Sequence, residues 1–128
     1  MTEAELVQIL RGYVDTLFPK TCAACGRRYE SVRDYIQRTT RAGRVVSYDL
    51  ELGDFQPAIP LGSHALSHCA CGSTLDTSTN GLPHAQRLAM LAWVKEEIDR
   101  RHVDATVILD EIRDKLRALI LTEPGGSA

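Results

Sequence analysis

Four cysteines stand in two tight pairs, Cys22-x2-Cys25 and Cys69-x-Cys71, with 43 residues between them. A glycine follows each pair, Gly26 and Gly72. Ordinary buried thiols are scattered through a core rather than paired in this way. A C-x2-C turn lets two sulfurs converge on one ion, and glycine permits the tight backbone that such a turn needs. Four thiolates satisfy a tetrahedral, borderline-soft ion such as zinc and leave no coordination position open. Thiolates also hold iron and iron–sulfur clusters, but a C-x-C pair with so long a spacer matches neither ferredoxin spacing. One Zn2+ ion on Cys22, Cys25, Cys69 and Cys71 is the expectation, with iron as the rival occupant.

The runs CAACG (22–26) and CACG (69–72) resemble the knuckles of zinc-ribbon and related zinc-knuckle domains. The resemblance covers these turns and the strands near them. It implies a small antiparallel β element with those four cysteines as its ligands. The second knuckle departs from the pattern by being one residue short. His68 lies three residues before Cys71, so His68 and Cys71 form a competing ligand pair. His64 is a second histidine able to ligate or to donate to a ligand, though for both rings an ordinary strand position is the simpler reading.

A closed four-thiolate site is structural, because a catalytic zinc keeps a water in its fourth position. The chain carries no H-E-x-x-H and no deaminase H-x-E…P-C-x-x-C pattern. Neither pair is followed by histidine, so covalent haem is not indicated. G-x-G-x-x-G, P-loop and G-x-S-x-G motifs are likewise missing, which leaves nucleotide cofactors and hydrolase chemistry without support. The catalytic alternative is a free Cys69 nucleophile beside His68, but neighbours in sequence do not reliably point at one another. The chain is expected not to be an enzyme.

A second feature is basic. Between residues 20 and 44 lie Lys20, Arg27, Arg28, Arg33, Arg38, Arg41 and Arg44, opposed only by Glu30 and Asp34. The part from Val45 onward is acidic by a similar margin, so the total is only −2. Arg33, Gln37 and Arg41 fall at four-residue spacing, with Tyr29 and Tyr35 interleaved. Together with Arg27, Arg28 and Arg38 they form a candidate anion or nucleic-acid surface. The simpler alternatives are a solvated face, or a face that meets the acidic part of the same chain.

These residues need elements to place them. Thr2 and Glu5 form a capping box for a helix over 2–17, with Leu6, Leu10, Tyr13 and Leu17 on its apolar stripe. Ser31 with Asp34 caps a short helix over 32–41, stopped by Gly43. Alternation over 44–51 sets Val46, Tyr48 and Leu50 on one face of a strand. A loop follows over 52–63. Residues 64–69 and 73–78 form a hairpin around the second cysteine pair. Asn80-Gly81 is a turn, and Pro83 suits the first position of a helix over 84–101. Asp104 caps a last helix, 105–121, which forms a helical hairpin with the one before it. Trp93 is expected at the edge of that pair. The fold class is α+β: about three short strands, an N-terminal helix, a short second helix and a C-terminal antiparallel helix pair. One zinc-stabilised domain over 1–122 is expected, with its zinc and β part at 20–79, and a flexible tail at 123–128.

The 128 residues are 44% hydrophobic and 25% charged, ordinary for a folded domain. No apolar run approaches a membrane span, and the acidic start MTEAELVQIL lacks a basic leader region. The expected compartment is the cytoplasm, where thiols stay reduced.

Three functions follow. The first is a non-enzymatic zinc-binding regulatory or interaction module that meets a protein partner or itself. The second is a nucleic-acid-binding protein using 27–44. The third is a thiol switch. The redox-regulated heat-shock chaperone also combines C-x-C with C-x2-C on one zinc, and this chain is similar to it in that respect, with the pairs in reverse order and further apart. An oxidant that formed disulfides here would expel the ion.

Overall fold

The computed structural model describes residues 1–53, 57–58 and 62–124. Half of the expected loop at 52–63 and most of the expected tail at 123–128 lie outside them. Helix α1 spans Glu3–Asp15, and its capping box is present. The Thr2 hydroxyl accepts from the Glu5 amide at 3.1 Å, and the Glu5 carboxylate accepts from the Thr2 amide at 3.2 Å. The helix stops earlier than expected. Its last turn is closed by Thr16, whose hydroxyl donates to the Tyr13 carbonyl at 2.6 Å.

Strands β1 (Lys20–Thr21) and β2 (Arg28–Tyr29) pair antiparallel around the first cysteine turn. Helix α2 spans Val32–Arg38, with the Ser31 hydroxyl accepting from the Asp34 amide at 3.1 Å. Here the structure corrects the sequence reading. The chain leaves the helix at Thr39, which is extended, and β3 runs over Thr40–Ser47. Gly43 is therefore no helix stop. It sits at φ +72° where the β3–β4 register slips between Ala42 and Val46, a bulge that glycine accommodates.

The expected strand over 44–51 ends at Ser47. Residues Tyr48–Glu51 form a short helix, α3, with the Ser47 hydroxyl at its N-terminus. The expected alternation is thereby reversed. Tyr48 is exposed, while Asp49 is buried and its carboxylate accepts from the Gly62 amide at 2.9 Å.

Strands β4 (Ser63–His68) and β5 (Thr74–Ser78) form the expected hairpin around the second cysteine pair. The larger sheet has the order β3-β4-β5, antiparallel throughout. The described residues thus hold five strands in two small sheets, against about three expected, and the class is α+β.

Helices α4 (His84–Arg101) and α5 (Ala105–Thr122) are joined by residues 102–104 and pack on one another. His102 closes α4 in the left-handed conformation. Pro83 precedes α4 as its N-cap rather than its first residue. Asp104 occupies the N-cap of α5, but its side chain makes no capping bond. No helix among the described residues is long and apolar enough to cross a membrane.

The main core joins α1, α4 and α5 through Leu6, Leu10, Trp93, Val94, Ile108 and Ile112. Trp93 is buried in it. Val14, Val32 and Ile120 make a second cluster where α1, α2 and α5 meet. A third is made of Cys22, Tyr29, Tyr35 and Cys69, so the cysteine region is itself a small core. Burying such side chains supplies about 25 cal/mol for each Å² of apolar surface removed from water.

Candidate metal centre

Each cysteine pair sits at the tip of a hairpin, and the two tips face each other. In the first tip the Gly26 amide donates to the Cys22 carbonyl at 2.8 Å, and the Cys22 amide donates to the Arg27 carbonyl at 2.9 Å. In the second, the Gly72 amide donates to the Cys69 carbonyl and the Cys69 amide to the Ser73 carbonyl, both at 2.8 Å. The same two bonds close both loops, and in the second each spans one residue fewer. The missing residue of the C-x-C pair is therefore taken up by a tighter turn, not by loss of a ligand. Both turns place glycine at positive φ, +78° for Gly26 and +93° for Gly72, which glycine adopts without strain.

The four sulfurs converge. All lie within 4.8 Å of one another, with Cys22 Sγ 3.8 Å from Cys71 Sγ and Cys25 Sγ 3.7 Å from Cys69 Sγ. This group can hold a metal ion. Each close pair takes one sulfur from each hairpin, so an ion there ties residues 22–25 to residues 69–71 across the fold. Cys22 and Cys69 are buried, Cys25 and Cys71 exposed.

Neither histidine belongs to the cluster. Successive residues of extended chain point to opposite faces, so His68 is turned away when Cys69 faces the site. Its ring lies 3.3 Å from the Thr74 hydroxyl. His64 pairs with Asp76 at 2.9 Å and packs edge-on against Tyr48.

Two residues serve the sulfurs without having been singled out for it. The hydroxyl of Tyr29, fully buried, donates to Cys69 Sγ at 3.0 Å. The Ser73 hydroxyl lies 3.0 Å from both Cys22 Sγ and Cys71 Sγ. Both stand on the strand or turn that leaves a knuckle, and that position was their one sequence signal.

These donors bias the thiols. Cys22 is brought down to about 6, first by Ser73 and then by the Cys25 amide, against desolvation. Cys69 is lowered by the Cys71 amide and then by Tyr29. Cys25 moves the other way, to about 11: the Arg27 amide favours its thiolate, but desolvation and the sulfurs of Cys69, Cys71 and Cys22 outweigh it. Tyr29 is pushed up to about 12 by burial and by its bond to Cys69, so it remains a donor. Thiolates this close repel one another, and a bound cation relieves that repulsion.

The basic segment is dispersed. Arg41 lies on β3 rather than α2, so the expected Arg33–Gln37–Arg41 helix face does not form. Arg33 donates to the carbonyls of Glu123 (2.9 Å) and Leu121 (3.1 Å) at the end of α5. Arg41 pairs with Asp114, and Arg44 with Asp110 at 2.9 Å. Arg28 pairs with Glu30, and Arg38 with Asp34 while lying over the Tyr29 ring. Tyr29 and Tyr35 are buried edge to face, 5.5 Å apart, and present no stacking surface. Arg27 is exposed at the rim of the metal centre.

No family model, curated protein or solved structure matches this chain.

Proposed function

We propose that the protein is a non-enzymatic zinc-binding module whose ion is structural. The observation that carries this reading is the sulfur geometry. A tetrahedral ion with metal–sulfur bonds of about 2.3 Å has ligands about 3.8 Å apart. The two close sulfur pairs stand at 3.8 and 3.7 Å. A polynuclear iron–sulfur cluster interposes several iron and sulfide atoms between its thiolates and spreads them wider, so a single ion is favoured. With four thiolates around it, the ion keeps no position for water or substrate. The paired hairpin tips also support the zinc-ribbon resemblance at this one place.

Cobalt(II) replacement tests the reading. A four-thiolate tetrahedral site gives intense visible ligand-field bands and sulfur-to-cobalt charge transfer, unchanged by added azide or cyanide. Weak octahedral bands, or bands shifted by those anions, would mean an open position.

The module's task, in this proposal, is to meet a protein partner or a second copy. Tyr48 and Leu52 support it, being large, apolar and exposed four residues apart at α3. Sedimentation of wild type against a Tyr48→Ser/Leu52→Ser variant is the check on self-association. Nucleic-acid binding gains no support from Arg33, Arg41 and Arg44, which are engaged with α5.

One observation favours a redox reading as the second choice. Cys25 and Cys71 are exposed, so an oxidant can reach two of the four ligands. Release of zinc by peroxide, reversed by a thiol reductant, is the expected signature. Full retention of zinc after peroxide treatment rules it out.

A further inference from the structure

Away from the metal centre, a cleft of about 110 Å³ opens between α2, α5 and the inner face of the larger sheet. Its walls are largely apolar, with Val32, Ile36, Leu116 and Ile120 among them. A second, almost wholly apolar cavity of about 90 Å³ adjoins it and shares Ala65, Thr77, Arg113 and Leu116. The gap exists because the sheet offers small residues, Ala65, Ser67 and Thr77, where it faces α5.

Polar groups inside the cleft are left over. The hydroxyl of Tyr35, a residue only 6% exposed, is buried with no hydrogen-bond partner among the described residues, and so is that of Thr77. A buried hydroxyl without a partner costs about 1–3 kcal/mol, so two bordering one cleft require an explanation. Arg113 is the third element. Its guanidinium donates to the carbonyls of Leu66 (2.9 Å) and Gly43 (3.3 Å), and among the described residues it forms no ion pair. Five N–H donors exceed what two carbonyls use. Burial, and then the like charge of Arg41, lower the Arg113 pKa; Asp110, Tyr35 and Asp114 act weakly the other way. Arg117, one turn further along α5 and exposed, lines the same cleft.

We infer that this cleft binds a small organic carboxylate with a compact apolar body. The carboxylate is taken up by Arg113 and Arg117 and accepts from the hydroxyls of Tyr35 and Thr77. The body rests on Val32, Ile36, Leu116 and Ile120. The cleft together with the cavity that adjoins it limits the body to about one aromatic ring, since a cavity of roughly 150 Å³ accepts benzene. The inference does not rest on the zinc reading, because it uses none of the four cysteines.

The test is a titration of the metal-loaded protein with benzoate, followed in amide proton–nitrogen spectra. Benzyl alcohol and inorganic phosphate serve as the uncharged and bodiless controls. Expected is saturable one-site binding with Kd between about 10 µM and 1 mM, its shifts centred on α2, α5 and the larger sheet. Tyr35→Phe and Arg117→Gln should each weaken binding about fivefold or more. Neither change disturbs packing: one removes a single oxygen, the other lies on the surface. Absence of saturation up to about 10 mM overturns the inference. So does benzoate binding that both variants leave unchanged, or phosphate binding as tight as benzoate.

Discussion

Tyr29 and Cys69 are joined by a buried hydrogen bond, the phenol donating to the sulfur at 3.0 Å. The bond links the second hairpin to the strand that leaves the first, so it spans the same gap that an ion on the four sulfurs would span. Groups that donate to metal ligands typically affect metal affinity by 10- to 100-fold. Tyr29→Phe keeps the ring against Tyr35 and removes only the donor. Zinc affinity should fall about tenfold with the fold intact, measured by competition with a chromophoric chelator. Unchanged affinity would show that the bond is incidental.

Ser73 has a different task, because one hydroxyl faces sulfurs from both hairpins. It also does most to lower the Cys22 thiol to about 6. At pH 7 Cys22 is thus mostly thiolate before metal arrives, whereas Cys25, raised to about 11, is protonated. Metal uptake at pH 7 should release fewer than four protons, read by calorimetry in buffers of different ionisation enthalpy. Ser73→Ala should increase that number. As pH falls below about 6, Cys22 also takes up a proton and affinity should drop.

The metal should matter most to its own small core. Cys22, Tyr29, Tyr35 and Cys69 pack together apart from the cluster of α1, α4 and α5. Stripping with a strong chelator should abolish the tyrosine near-ultraviolet circular dichroism while much of the helical signal persists. The stability lost should be about 4 kcal/mol when free zinc had been a thousandfold above Kd. An unaltered tyrosine signal would contradict this account.

Much of this was legible in the sequence, and the exceptions have physical causes. The cysteines declared themselves because two glycine-followed pairs have few other uses. The helix bounds of α4 and α5 followed from periodicity, and the capping box at Thr2 from local chemistry. The strand over 44–51 holds only to Ser47, because Gly43 bulges β3 and because a distant partner, the Gly62 amide, draws Asp49 inward. Neither cause has a short-range pattern. In the sequence Tyr29 reads as interleaved in a candidate anion or nucleic-acid surface because it sits among arginines; only the fold shows that it points at a sulfur. The charge asymmetry was visible, and its main resolution, Arg33, Arg41 and Arg44 against α5, was present only as the plainer alternative.

Asp110 is where that resolution bears most weight. Its carboxylate accepts from the Val45 amide at 2.8 Å and from Arg44 at 2.9 Å, fastening β3 within its bulge. Asp110→Ala leaves the Val45 amide without its partner. A loss of about 1–3 kcal/mol is expected in urea denaturation. A loss near zero would mean that water replaces the carboxylate.

Glu123 supplies a pH signature. Its bidentate bond with Arg11, at 2.5 and 2.8 Å, holds the carboxyl below its ordinary value. A depressed folded pKa stabilises the fold above the unfolded value and loses that effect as pH falls through the folded one. Wild type should therefore melt higher than Glu123→Gln at pH 7. The difference should shrink on acidification below about pH 4.3. A difference independent of pH would assign the effect to packing instead.

The central claim rests on one measurement: the metal content, by mass spectrometry of the elements, of protein purified without added metal, for wild type and Cys69→Ser. One zinc ion per wild-type chain is expected, with its loss or marked depletion in the variant. Iron in place of zinc, no metal at all, or full zinc retention in Cys69→Ser would contradict it.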